Sequence, residues 1–324
     1  MRTAMTPCKI GTVKLLFIVL FLTTSVPAKD VQLTAQSKTG SIAFGGLTRT
    51  YAAYVPPSLT PSSKPALVLI LHGGLGTGAG MQKLTLHRFN ELADRDGFIA
   101  LYPDGICKSW NDGRMIDGDR AHKEQLDDVG FLSALIEQFE KQYGVDQHRV
   151  YVTGISNGAM MAFRLACDLS EKIAAAAPVA GSLPKVLAGT CRSKEPVSIL
   201  AINGDEDPLV PFKGGQVHFF GRKRGEIIPV TEAAAFWGKR DGCGPIPRDE
   251  TLPDRDPKDH TSVEKFSFPP SPQGHEVVLY VIHGGGHTWP MGWKYAGEWL
   301  VGRVSRELDA CDLIWDFFKA HPKK

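Results

Sequence analysis

Very little in this 324-residue chain speaks for a membrane, a nucleic acid or a metal. Its N-terminal apolar core, Leu15-Leu16-Phe17-Ile18-Val19-Leu20-Phe21-Leu22, is too short to span a bilayer. No long basic cluster is present, which leaves no case for nucleic acid. The short run Arg222-Lys223-Arg224 reads as a solvated loop. Beyond residue 28 the cysteines are Cys107, Cys167, Cys191, Cys243 and Cys311, and their spacing fits no zinc motif. Asp104, Asp112, Asp117 and Asp119 lie close in sequence, but their spacing matches no calcium loop and they read as solvated turn residues. With no internal repeat and no long low-complexity linker, the chain reads as one domain.

What is present is globular in character. Hydrophobic residues make up 43% of the chain and charged residues 22%, which places it among folded rather than disordered sequences. The first 28 residues carry Arg2, Lys9 and Lys14 and no acidic residue. With the apolar core and the small-residue stretch Val26-Pro27-Ala28, they read as a cleavable secretory signal. Loss of those three positive charges takes the formal balance from +2 to −1. The mature chain, 29–324, is expected outside the cytoplasm, extracellular or periplasmic, with no stable membrane association. Cys8 precedes the apolar core, so it is not placed as a lipid-acceptor cysteine. Export predicts one or two disulfides with at least one thiol left over, and the pairing stays open.

Strands and helices alternate. Residues 41–55 alternate and turn at Gly45-Gly46, which predicts an antiparallel hairpin. Continuous apolar runs at 66–71 and 98–102 predict strands covered on both faces. Further strands are predicted at 149–153, 174–179, 197–202 and 276–282. Asp127 or Asp128 can cap a helix that buries Phe131, Leu132, Leu135, Ile136 and Phe139. Helices are also predicted at 159–166, 231–239 and 305–319, and loops at 104–128 and 241–275. This order predicts an α/β fold with a mostly parallel central sheet and helices on both faces.

Gly154-Ile155-Ser156-Asn157-Gly158 falls between a predicted strand and a predicted helix. Strand, G-x-S-x-G, helix is the arrangement of a nucleophile elbow, in which a tight turn pushes the serine hydroxyl out above the sheet edge. A serine hydroxyl needs a base to take its proton, and the base is commonly a histidine oriented by a carboxylate. In the α/β-hydrolase arrangement these follow in the order Ser, acid, His, each on a loop after a strand. Here Asp207 follows the 197–202 strand and His287 the 276–282 strand. Asp205 is the alternative acid and His283 the alternative base. The oxyanion donors are expected from the backbone N–H of Asn157 and of Gly74, with Leu75 as the alternative to Gly74. Trp110 and Trp289 are expected to line an acyl or aryl pocket. This chemistry requires neither a metal nor an organic cofactor.

Six motifs stand in register: His72-Gly73-Gly74, Ser109-Trp110-Asn111-Asp112, Asp127-Asp128-Val129-Gly130-Phe131, the Ser156 elbow, Asp207-Pro208-Leu209-Val210-Pro211 and Gly286-His287-Thr288-Trp289-Pro290. As a set they resemble the secreted polyhydroxybutyrate depolymerase-like esterases, which adjoin the feruloyl and acetylxylan esterases of carbohydrate esterase family 1. The resemblance implies an α/β-hydrolase fold and a Ser156, Asp207, His287 triad that hydrolyses carboxylic esters through an acyl-enzyme. Candidate substrates are hydroxyalkanoate oligomers and feruloyl or acetyl sugar esters. The chain departs from polymer-degrading members in having no Thr-rich linker, no fibronectin-like module and no terminal substrate-binding domain. Gly74 also stands where many depolymerases carry a cysteine, so soluble esters are the expected substrates. Two other readings fit the same fold: a silent glycan or polyester binder, and a serine peptidase. Oligomeric state is left open.

Overall fold

The computed structural model describes residues 37–60, 62–219 and 221–324. The expected signal lies outside the described residues. The strands are β1 (Lys38–Phe44), β2 (Leu47–Tyr54), β3 (Leu67–Leu71), β4 (Ile99–Pro103), β5 (Val150–Ile155) and β6 (Ala175–Val179). They continue with β7 (Ser198–Gly204), β8 (Gly215–Phe219), β9 (Arg222–Ile227), β10 (Arg248–Thr251), β11 (Ser262–Ser267) and β12 (Val277–His283). Ten of them form one sheet in the order β1-β2-β4-β3-β5-β6-β7-β12-β11-β10. The run from β4 to β12 is parallel, and an antiparallel pair closes each edge.

Alternation along each central strand sends side chains to two cores. Leu67, Leu69 and Leu71 pack with Phe131, Leu135 and Phe163 on one face. Val68 and Ile70 pack with Phe89, Ile314 and Phe318 on the other. Each such side chain contributes about 1.5–3 kcal/mol of burial, and a strand buried on both faces is therefore mostly apolar. The helices Asp128–Tyr143, Asn157–Asp168 and Val230–Arg240 cover the first face, and Arg88–Asp96 and Ala310–Ala320 the second. Asp127, not Asp128, caps the helix Asp128–Tyr143, accepting from the Gly130 N–H at 2.8 Å. Asp128 turns inward to pair with buried Arg49 at 2.6 Å.

The segment 241–275, expected as loop, contains β10 and β11. Its signal is weak because β10 is exposed throughout and β11 buries only Val263. Arg248, Asp249, Glu250, Glu264 and Lys265 are the charged residues of edge strand β10 and its neighbour β11, which bury too little to impose apolar periodicity. The hairpin β8–β9 forms a separate two-stranded sheet after the Asp207 loop. A disulfide joins Cys167, at the end of the Asn157–Asp168 helix, to Cys191, while Cys243 and Cys311 are free thiols.

Asp241 is a buried carboxyl that accepts from the Val197 N–H at 3.2 Å, and its other oxygen has no partner. Burial pushes it up to about 7. The folded state therefore holds this proton to about pH 7, whereas the unfolded chain releases it near pH 4. Stability falls as pH rises between those values, by at most about 4 kcal/mol, and is then level. Asp241→Asn keeps the hydrogen bond without the charge. It is expected to melt higher than the parent at pH 8, with the two curves converging towards pH 4. Thermal melts across that range check this, and an equal offset at both ends would contradict it.

Candidate active site

β5 ends in the elbow. Ser156 sits at φ 59°, ψ −118°, outside the regions an L-residue normally occupies, and the helix Asn157–Asp168 starts directly after it. The flanking glycines are required by the adjacent strand end. A Cβ on Gly154 would lie 2.7 Å from the Leu71 carbonyl oxygen, and one on Gly158 only 2.5 Å from it. The backbone between them is thus pressed against the end of β3, and Ser156 is lifted to the wall of a cleft of about 530 Å³.

His287 lines the same cleft. Its Nδ1 is 2.6 Å from Asp207 Oδ2, and both side chains are nearly fully buried. The second Asp207 oxygen accepts the N–H groups of Leu209 and Val210, each at 2.8 Å. A carboxylate held in this way fixes the proton on Nδ1 and leaves Nε2 with its lone pair. Asp205 and His283, the alternative acid and base, pair with each other instead, at 2.8 Å, and His283 Nε2 reaches Glu264 at 3.2 Å. Neither lines the cleft.

The His72-Gly73-Gly74-Leu75 loop forms another part of the wall. Leu75 gives its N–H to the Lys108 carbonyl at 2.8 Å, so that donor is already used. Among the described residues no acceptor takes the Gly74 N–H. Asn157 is the first residue of its helix, so its N–H has no intrahelical partner. Two backbone donors beside Ser156 are what an oxyanion requires.

Several motif residues prove to be supports. His72 Nδ1 lies 2.8 Å from the Gly73 carbonyl, and Nε2 accepts the Gly105 N–H at 2.9 Å. Burial pushes its pKa down, so the ring is the neutral tautomer that makes both bonds. The Asn157 side chain accepts from the Trp110 N–H at 2.8 Å and donates to the Trp110 carbonyl at 3.0 Å and to Asp112 at 2.5 Å. Asp112, expected as a solvated turn residue, is wholly buried and paired with Arg114 at 2.7 Å. Its pKa is held down by Arg114 and the neighbouring His122 against the cost of burial.

Trp110 and Trp289 do not line the cleft, contrary to the expectation for both. Each is buried, and a buried indole N–H usually finds a partner. Trp110 Nε1 donates to the His72 carbonyl at 2.9 Å with its ring against the His72 imidazole, so it buttresses the His72-Gly73-Gly74-Leu75 loop. Trp289 Nε1 donates to Cys311 Sγ at 3.3 Å, and the ring packs on Phe89. Phe219, Trp293 and Tyr295 are the Phe, Trp and Tyr side chains at the cleft. Tyr295 Oη donates to the His287 carbonyl at 2.6 Å, clamping the loop that carries the imidazole. Burial, with the Asp207 charge adding to it, pushes the Tyr295 phenol up, so it stays a donor. Sequence reasoning missed Tyr295, because nothing local in Lys294-Tyr295-Ala296 marks a tertiary contact.

The doubly covered parallel sheet with its elbow defines an α/β-hydrolase. A sequence model of the family described as Esterase PHB depolymerase matches residues 49–194. The chain is 32% identical over 300 residues to NocK of Nocardia uniformis subsp. tsuyamanensis, assigned as an esterase, covering 90% of this chain and 84% of that protein. It is 25% identical over 290 residues to feruloyl esterase C of Emericella nidulans, covering 77% and 93%. Acetyl xylan esterase from Aspergillus awamori shares the fold, with a TM-score of 0.57 at 16% identity over 87% of this chain and 99% of that one. The chain belongs to the PHB depolymerase esterase family, related to the feruloyl and acetylxylan esterases, and is a carboxylic ester hydrolase.

Proposed function

We propose that this is a secreted serine esterase in which Ser156 attacks the ester carbonyl and His287 Nε2 takes its proton. Asp207 steadies the imidazolium, and the Asn157 and Gly74 N–H groups receive the oxyanion. His287 then protonates the leaving alcohol and activates the water that releases the acid. The observation that carries this reading is the buried His287–Asp207 hydrogen bond in the wall that also presents Ser156. Secretion is supported by the basic, then apolar, then small-residue character of 1–28. Among the described residues no helix is long and apolar enough to cross a membrane. Soluble esters of hydroxyalkanoate, feruloyl or acetyl type fit an open cleft of this volume.

A panel of p-nitrophenyl acetate, p-nitrophenyl butyrate, methyl ferulate, acetylated xylan and hydroxybutyrate oligomers tests the reading. Turnover of at least one ester by the mature protein is expected, and a folded protein inert on all of them would refute it.

A further inference from the structure

We propose that the esters taken by this cleft carry a carboxylate close to the scissile bond, held by Lys108 and Arg224. This rests on the esterase reading above and narrows its substrate class. Besides His72, His287 and the Tyr295 phenol, the ionisable residues lining the cleft include Lys108, Arg114, Asp119, His218 and Arg224. Arg114 is neutralised by Asp112, both being buried. Asp119 accepts from Ser109 Oγ at 2.8 Å and from the Ala121 N–H at 3.0 Å, and stands 3.7 Å from Arg224. Asp119 is thereby shared among three partners, and its contact with Arg224 is long. Among the described residues Lys108 has no ion-pair partner, and neither has His218.

The positive side extends past the lining. Arg222 and Lys223 are exposed on β9, next to Arg224, and no ion pair of theirs occurs among the described residues. The basic run that read as a solvated loop is thus one strand of a hairpin at the cleft mouth. That hairpin is seated on Arg114: its guanidinium donates to the Arg224 carbonyl at 2.9 Å, and a Cβ on Gly225 would lie 2.8 Å from Arg114 Cβ.

Lys108 reaches the cleft from beside the oxyanion loop, since its carbonyl holds the Leu75 N–H. Cys107 and Lys108 both have positive φ, 52° and 61°, which turns the chain sharply and fixes where the lysine side chain starts. Met81, Leu84, Leu209, Val210 and Val217 supply apolar wall. A cation beside low-dielectric walls acts on a substrate charge more strongly than one in open water, and it raises the local concentration of anionic substrate. No unpaired carboxylate lines the cleft to oppose this. A neutral ester gains nothing from the arrangement, whereas a carboxylate at the end of a short hydroxy-acid oligomer, or on a uronate beside an acylated sugar, meets both cations.

The test compares kcat/KM of the mature protein within matched pairs. These are p-nitrophenyl hemisuccinate against p-nitrophenyl butyrate, hydroxybutyrate dimer acid against its methyl ester, and acetylated xylo-oligosaccharide with against without a glucuronate branch. The charged member is expected to exceed its neutral partner by about tenfold in at least one pair. Lys108→Gln and Arg224→Gln, on separate elements, should each bring that ratio down towards one, and added salt should do the same. Preference within the dimer pair identifies hydroxy-acid oligomers, and preference within the sugar pair identifies acidic glycans. Equal or lower rates for the charged member in all three pairs, or a ratio indifferent to both substitutions, would overturn the proposal. Turnover of p-nitrophenyl butyrate that vanishes in Ser156→Ala would leave the esterase reading intact in that event.

Discussion

Ser156→Ala is expected to lower kcat by about five to six orders of magnitude, with KM for the same ester changed less than about threefold. In the proposed mechanism the hydroxyl forms the covalent bond, so no neighbouring group replaces it. The proposed oxyanion donors are backbone N–H groups of Asn157 and Gly74, which the substitution leaves in place, so a residual rate above that in water should survive. Alanine suits this position no worse than serine, because the strain at φ 59°, ψ −118° comes from the turn and not from the hydroxyl. The variant should melt within a few degrees of the parent. Steady-state kinetics beside a thermal melt separate lost chemistry from lost structure.

Asp207→Asn is the next largest effect, about four orders of magnitude in kcat. The asparagine oxygen can still accept from Leu209 and Val210, which directs its NH2 group at His287 Nδ1. An NH2 there requires a lone pair on Nδ1 and so puts the proton on Nε2. The imidazole then faces Ser156 with a donor where the mechanism needs an acceptor. Asp205→Asn serves as the contrast, since Asp205 holds His283 and not His287. Its effect on kcat should stay within about threefold. A larger loss from Asp205→Asn than from Asp207→Asn would reverse the assignment of the acid.

The strands that carry the site were legible because their environment is stringent. β3, β5 and β7 are buried on both faces, which favours runs dominated by apolar residues, and the elbow tolerates no Cβ at Gly154 or Gly158. The proposed acid and base each fall on the loop that follows a recognisable strand, which is what drew attention to them in the sequence. Edge strand β10 and its neighbour β11 were illegible for the opposite reason: β10 is fully exposed, β11 is mostly half-exposed, both are charged, and they carry no alternation. Burial of loop residues is likewise settled only by partners distant in sequence. Asp112 is interior because Arg114, His122 and Asn157 surround it. Trp110 leaves the cleft because the His72 carbonyl is available to its indole N–H. The same holds for Tyr295, whose hydroxyl finds a backbone carbonyl eight residues earlier.

Comparison of the two histidines shows how little of the chemistry lies in residue type alone. His283 and His287 lie in one segment, and each bonds a carboxylate from the Asp205-Glu206-Asp207 loop. His283 is half-exposed, and its hydrogen bonds to Asp205 and Glu264 push its pKa up, which favours the charged ring. His287 is buried in the cleft wall with a single carboxylate. Position relative to the elbow, set by the register of β7 and β12, decides which of the two can act as a base towards Ser156.

In the proposed mechanism Ser156 is the nucleophile. The most direct test of that role is to label the mature protein with a fluorophosphonate and map the adduct by peptide mass spectrometry. One adduct per chain is expected, on the peptide containing Ser156, formed fast in the parent, slowly in Asp207→Asn and not at all in Ser156→Ala. An adduct on another serine, or undiminished labelling of Ser156→Ala, would contradict the account.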